Sequence, residues 1–76
     1  MTDFTLDKLR AGDRARVAHL DLHKNPELNR ILAHGIVPGS MVRVLQLFPT
    51  YVVEVNESQL AFDETIARAI FVHPID

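Results

Sequence analysis

The sequence contains no cysteine and no tryptophan. Without cysteine, disulfides, thiolate zinc sites and cysteine nucleophiles are excluded, and small secreted domains usually need such cross-links. We therefore expect a cytoplasmic protein. No apolar run approaches the ~20 residues needed to cross a membrane, and no signal-type segment follows Met1. The chain is accordingly predicted not to insert into a membrane directly.

A large excess of positive charge is also missing. Eight Lys and Arg residues are scattered among ten Asp and Glu, which gives a formal net charge of −2. Proteins that bind nucleic acid usually concentrate basic side chains to compete for phosphates, so we predict no nucleic-acid partner. Glycine is scarce, and Gly12, Gly35 and Gly39 fall at expected turns or a helix end, not in a phosphate-binding loop. With no Ser/His/Asp arrangement or carboxylate pair either, we predict that the chain is not an enzyme.

Hydrophobic residues make up 47% of the chain, which at this length supports the core of a single domain, residues 1–76. Alternating or short apolar runs predict strands at residues 14–20, 41–47, 51–55, 59–62 and 69–72. Asn25 predicts the start of a helix that Gly35 ends, and Asp63 caps a short helical turn. Pro74 is expected to end the last strand. This order predicts a mainly β fold, a small SH3-like barrel of about five strands with one inserted helix.

Two segments carry a family resemblance. The first is Asn29–Gly39 (NRILAHGIVPG), which is similar to a family pattern of Arg and Leu before Gly, a hydrophobic residue and Pro-Gly. The second comprises Leu60-Ala61-Phe62-Asp63, Ala67 and Ile70-Phe71-Val72, and matching residues near the start are Leu6, Leu9, Gly12 and Val17. On these motifs the chain resembles the ferrous iron transport protein A (FeoA) family. The same domain type forms the C-terminal SH3-like module of iron-dependent repressors.

The resemblance implies a cytosolic accessory or regulatory protein of ferrous iron uptake that binds the cytosolic GTP-binding part of the ferrous iron permease. It carries over no catalytic residues. Two features depart from the family pattern: His34 stands where an apolar residue is usual, and the connection Phe48-Pro49-Thr50 is shorter than the common loop. His34 follows the predicted helix, where a protonated imidazole interacts favourably with the helix dipole.

Apolar side chains around this connection form the predicted partner surface. Leu45 and Leu47 alternate on the face opposite Val42 and Val44, and Phe48 and Tyr51 follow. If Leu45, Leu47, Phe48 and Tyr51 are exposed together, they form an apolar patch of the kind that marks a partner site. The alternative is that Leu45 and Leu47 pack under the helix, and periodicity alone does not choose between the two.

A metal site is a second candidate. In an extended strand, His19, Asp21 and His23 lie on one face at i, i+2 and i+4, and imidazole with carboxylate suits Fe²⁺ or Zn²⁺. The alternative is an exposed polar edge with Leu20 and Leu22 facing the core. We expect no obligatory cofactor, and these three residues carry the alternative function of a direct metal sensor.

A third reading is a stand-alone relative of the repressor module that binds proline-rich peptides. Barrels of that kind use an aromatic-lined groove, and one tyrosine with no tryptophan equips the chain poorly for it. The oligomeric state is left open as monomer or weak homodimer, because an open edge strand is compatible with both.

Overall fold

The computed structural model describes residues 4–75, in which one six-stranded antiparallel sheet accounts for most of the fold. Its strands are β1 (Phe4–Thr5), β2 (Arg14–Leu20), β3 (Met41–Gln46), β4 (Tyr51–Val55), β5 (Ser58–Phe62) and β6 (Ile70–Ile75). Two short helices, α1 (Leu28–Ala33) and α2 (Glu64–Ala67), and a single 3₁₀ turn (Leu6–Lys8) complete it. No helix in this part of the chain has the length and hydrophobicity to cross a bilayer.

The strand order β1-β6-β2-β3-β4-β5 confirms the predicted small, mainly β, SH3-like architecture. Two details differ from the sequence prediction. Strand β1 was not predicted, because a run of two residues leaves no periodicity to detect. Strand β6 continues through Pro74 to Ile75, and Pro74 pairs with Ala15 of β2. On its other edge, β6 is paired by β1 only at Phe71 and Val72. Beside Pro74 that edge has no partner strand, so a proline, which has no N–H, is tolerated at this position without the loss of a hydrogen bond to β1.

The core lies on the inner face of this curled sheet and is closed by the helices and the 3₁₀ turn. No polar or charged side chain is buried within residues 4–75. Strands contribute Ala15, Val17, Val42, Val44, Val53, Val55, Leu60, Phe62, Ile70 and Val72, and the remaining segments contribute Leu6, Leu9, Leu28, Ile31, Ile36, Ile66, Ala67 and Ala69. The alternation of buried and exposed residues along β2 and β3 reflects this one-sided burial.

Local chemistry sets the end of α1 and the start of α2 as predicted, but α1 begins at Leu28 with Glu27 in the N-cap position, later than the start predicted at Asn25. The Asn25 carboxamide accepts a hydrogen bond from the Glu27 N–H (2.9 Å) in the turn that leads into α1. After α1, Gly35 takes φ +109°, and a Cβ there would lie 2.9 Å from Nδ2 of Asn56. The His34 ring donates through Nδ1 to the Arg30 carbonyl (2.8 Å), which caps the helix end. The carboxylate of Asp63 accepts from the Ile66 N–H (3.1 Å) and begins α2.

The β4–β5 hairpin has a two-residue loop. Asn56 and Glu57 both have positive φ, +52° and +67°, as a type I′ turn requires. Val55 and Ser58 flank it as a directly opposed pair, and the register runs without a break to Tyr51 opposite Phe62. This hairpin fixes which backbone groups of β5 face β4 and which face outward.

Candidate partner-binding surface

The predicted partner surface follows an irregularity in β3. Val44 pairs with Val53, but Gln46 pairs with Val52, so Leu45 is an extra residue and the register shifts there as a β-bulge. The shift reverses the alternation that follows it. Leu45 therefore points outward with 38% exposure, whereas Leu47 turns inward and packs against the core.

The connection after the bulge presents a single aromatic side chain to solvent. Phe48 is 85% exposed, the highest value among the exposed large hydrophobic residues. Its loop is short, and the Gln46 side-chain amide closes it by donating to the Thr50 carbonyl (3.0 Å). Phe48 is thus held away from the core by a constrained backbone.

Only part of the predicted patch is exposed. Leu45 and Phe48 face solvent, but Leu47 and Tyr51 are partly buried against the core, so the four side chains are not all exposed together. The cause is the bulge, which places Leu47 on the inner face together with Tyr51. The Tyr51 ring stacks on Phe62 of β5 with a centroid distance of 6.2 Å and an interplanar angle of 9°.

The environment of the Tyr51 hydroxyl is acidic. Burial raises the pKa of Tyr51 above its usual value of 10.0, and the nearby carboxylates of Glu64 and Asp7 raise it further, whereas Arg68 lowers it. Arg68 contacts both carboxylates, Glu64 at 3.1 Å and Asp7 at 4.0 Å. One cation thus faces two anions at the end of the sheet where β4 begins.

The predicted metal ligands do not come together. A register shift between Val17 and His19 disturbs β2, and the strand ends at Leu20, so the extended geometry assumed for His19, Asp21 and His23 is wrong. The chain turns at once, with hydrogen bonds from Leu22 N–H to the Leu20 carbonyl and from Lys24 N–H to the Asp21 carbonyl (both 3.1 Å). No group of three His, Cys, Asp or Glu side chains suited to a metal occurs among residues 4–75.

Each side chain of that segment has a different environment. His19 is exposed and stacks on Phe71 of β6, with ring centroids 4.5 Å apart. His23 is exposed beyond the turn. Leu20 packs against the core, but Leu22 is 40% exposed, so the alternative expectation that both leucines face inward holds only for Leu20.

The structure also shows a cationic strip that the sequence reading missed. Arg14 of β2 lies directly opposite Arg43 of β3, and Arg16 lies opposite the exposed Met41. Arg16 donates to the Gly39 carbonyl (2.8 Å), and Glu54 of β4 pairs with Arg43 on its other side. Alternation places Arg14 and Arg16 on one face, but only the pairing register brings Arg43 beside them.

Known proteins share this sequence pattern and this architecture. A family model described as the FeoA domain matches residues 4–74. No curated protein sequence matches the chain. Among solved structures, the FeoA protein from Chlorobium tepidum is 30% identical, with a TM-score of 0.86 over 96% of this chain and 71% of that one.

Two further structures share the fold at lower identity. A crystal structure of an iron uptake regulatory protein (FeoA) is 19% identical, with a TM-score of 0.83 over 99% of this chain and 100% of that one. A manganese-dependent transcriptional repressor is 24% identical, with a TM-score of 0.83 over 96% of this chain. The chain spans 42% of the length of that repressor.

Proposed function

The chain belongs to the FeoA domain family, and on that premise we propose that it is an accessory protein of ferrous iron uptake that acts by binding a partner. Membership of the family and the likeness to metal-dependent regulators support a role in ferrous iron transport or metal-linked regulation. The proposed partner is the cytosolic GTP-binding part of the ferrous iron permease. The proposal therefore places the chain in the cytoplasm as a binding module without catalytic activity.

Phe48 is the observation that carries this proposal. An aromatic ring at 85% exposure, on a loop closed by the Gln46–Thr50 hydrogen bond, has no role in the core of this chain. Exposed apolar groups of this kind mark interaction sites, and burying one such side chain contributes about 1.5–3 kcal/mol. Leu45 extends the same apolar surface on the neighbouring bulge.

The constrained loop favours binding because it lowers the conformational entropy that the unbound protein has to lose. A side chain that is already presented by a fixed backbone loses less conformational freedom on association than one on a mobile loop. Aromatic residues at the centre of an interface usually contribute more than their neighbours do. We therefore expect Phe48 to dominate the affinity and Leu45 to contribute less.

The test is an amide NMR titration of the labelled chain with the purified GTP-binding part of the permease. We expect localised shifts over residues 45–51 and at least about a tenfold loss of affinity for Phe48→Ser. The matched control is Phe4→Ser, because Phe4 is the other exposed phenylalanine (45%) and lies on the edge strand β1, which β6 and β2 separate from β3.

Thermal unfolding of both variants checks that they remain folded. Phe48→Leu should bind with intermediate affinity, since it keeps an apolar group on the loop. A spectrum that does not move at high excess of the partner would reject the permease as the partner. An equal loss of affinity in Phe4→Ser and Phe48→Ser would reject the loop as the contact.

A further inference from the structure

The outer edge of β5 carries backbone groups that no described residue pairs. In a two-residue hairpin, the flanking residues Val55 and Ser58 exchange both ladder hydrogen bonds, and the exchange then recurs at every second pair. Leu60 and Phe62 thus direct their N–H and C=O groups to β4. The backbone groups of Gln59 and Ala61 point the other way, and β5 is the last strand of the sheet.

These outward groups form a regular row. At about 3.4 Å per residue, Gln59 and Ala61 place two N–H and C=O pairs about 6.8 Å apart, which matches the spacing of an antiparallel ladder. Neither residue makes another hydrogen bond with the rest of residues 4–75. Both side chains are exposed, so the row is accessible.

This edge lacks the features that usually prevent strand addition. Edge strands are normally protected by short length, proline, charged side chains or a bulge. The opposite edge is the two-residue β1. Strand β5 (SQLAF) is five residues long, has no charge and no proline, and keeps an unbroken register with β4.

The inner face of β5 is also incompletely covered. Leu60 and Phe62 retain 8% and 5% exposure, whereas most core side chains retain 0–2%. An added strand would place alternate side chains beside these two and complete the core edge. Its apolar residues would therefore occupy every second position.

The charges around β5 distinguish between two strands that could pair with its edge, a second copy of this chain and a segment of another protein. Glu57 precedes β5, Asp63 follows it, and Glu54 lies opposite Gln59, whereas Glu64 is already paired with Arg68 (3.1 Å). A second copy could pair antiparallel with this edge through the outward backbone groups of Gln59 and Ala61. Gln59 of each copy would then lie opposite Ala61 of the other. In the same register Glu57 of each copy would lie opposite Asp63 of the other, which gives two like-charge pairs. Such like-charge pairs are destabilising, whereas basic residues at both ends of an incoming strand would be attracted.

We propose that the edge of β5 binds an extended segment of another protein by strand addition, with alternating apolar residues in its centre and basic residues at both ends. The main-chain bonds to Gln59 and Ala61 supply the affinity, and the acidic residues at the two ends of β5 select the sequence. This site is separate from the Phe48 loop and does not depend on the identity of the permease partner.

The test uses a synthetic peptide, Lys-Lys-Val-Thr-Val-Thr-Val-Lys-Lys, titrated into the labelled chain at low salt. We expect saturable amide shifts centred on residues 58–62 and slower hydrogen exchange at Gln59 and Ala61. A peptide with two adjacent central residues replaced by proline should not bind, because it cannot form the ladder. A peptide with glutamate in place of every lysine should bind at least about tenfold more weakly.

A variant of the chain provides a second check. In Ala61→Pro only an outward N–H is lost, so the β4–β5 ladder should persist and peptide binding should disappear. If that variant does not fold, the exchange measurement on the unchanged protein still decides. Binding of the proline peptide as tightly as the parent, or shifts away from β5, would overturn the proposal. So would concentration-dependent protection of Gln59 and Ala61 without peptide, because a second copy would then occupy the edge.

Discussion

Two segments of this chain, His19–His23 and Leu45–Tyr51, follow the same kind of irregularity and have opposite outcomes. Each comes directly after a register shift, between Val17 and His19 in β2 and between Val44 and Gln46 in β3. After the first shift the strand ends and the polar side chains separate. After the second, the chain continues into a tight connection that holds Phe48 in solvent.

The comparison shows that a bulge changes which residues of an alternating pattern lie on the same face of the sheet. Side chains separated by two positions share a face only while the register is unbroken. Across the shift in β3, Leu45 and Leu47 fall on opposite faces although the sequence alternates regularly. A pair of apolar residues therefore becomes one exposed residue and one partly buried residue, and Leu45 and Phe48 are the members of the predicted patch that face solvent.

The largest expected effect tests this separation of the two leucines. Leu47→Ala should lower the free energy of unfolding by about 2 kcal/mol, because it removes side-chain packing against the core. The matched change Leu45→Ala should cost under about 0.5 kcal/mol, as is usual for surface positions. Urea unfolding of the two variants measures the difference, and equal losses would mean that the register shift is misplaced.

The first segment offers the same comparison at a smaller scale. Leu20→Ala should cost about 1.5 kcal/mol, less than Leu47→Ala because the adjacent turn can relax around the truncated side chain. Leu22→Ala should cost under about 0.5 kcal/mol, since that side chain is 40% exposed. A larger loss for Leu22→Ala than for Leu20→Ala would indicate that β2 continues past Leu20.

The features predicted correctly are those that depend on neighbouring residues alone. Asp63 caps α2 and Gly35 ends α1, because a carboxylate before a helix and a positive φ after it are local requirements. The bulge in β3 depends on which residue of the partner strand lies opposite, and one sequence does not contain that information.

The same limit applies to the candidate surfaces. Whether Leu47 faces solvent or packs inward is left open by the sequence, and only the register shift in β3 decides it. The cationic strip needed the pairing of Arg14 with Arg43, and the open edge of β5 needed the strand order. Each of these is a relation between segments that are distant in sequence.

Tyr51, at the end of the second segment, gives a prediction about pH. Its pKa is raised mainly by burial and then by Glu64 and Asp7, so the folded state favours the neutral phenol. The unfolded chain loses that proton near pH 10, and stability should therefore fall as pH rises from about 10 through the higher pKa of the folded state. Tyr51→Phe should remove this part of the alkaline destabilisation.

A spectroscopic titration isolates the group. The chain has one tyrosine and no tryptophan, so the ultraviolet absorbance of phenolate reports Tyr51 alone. Glu64→Gln should lower the midpoint, and removal of the cation in Arg68→Gln should raise it, since Arg68 opposes the two carboxylates. A midpoint at or below pH 10 in the folded protein would contradict the partial burial of this ring.

The smallest expected effect concerns metal at His19, Asp21 and His23. If the three side chains did form a site, a metal at 100 times its dissociation constant would stabilise the fold by about 2.7 kcal/mol. A domain of this size would then melt roughly 10–20 °C higher. Because the chain turns after Leu20 and the three side chains are not grouped, we expect no such difference between the unchanged chain and a His19→Ala, His23→Ala double variant.

Thermal unfolding with Zn²⁺, and with Fe²⁺ under anaerobic conditions, measures this directly. His34 and His73 remain in both proteins, so weak binding at those imidazoles shifts both melting curves equally and cancels in the comparison. Stabilisation of the unchanged chain alone would mean that metal binding extends β2 beyond Leu20 and aligns His19 with Asp21 and His23. The first segment would then behave as a site that forms only with its ligand, in contrast to the Phe48 loop, which is already formed without one.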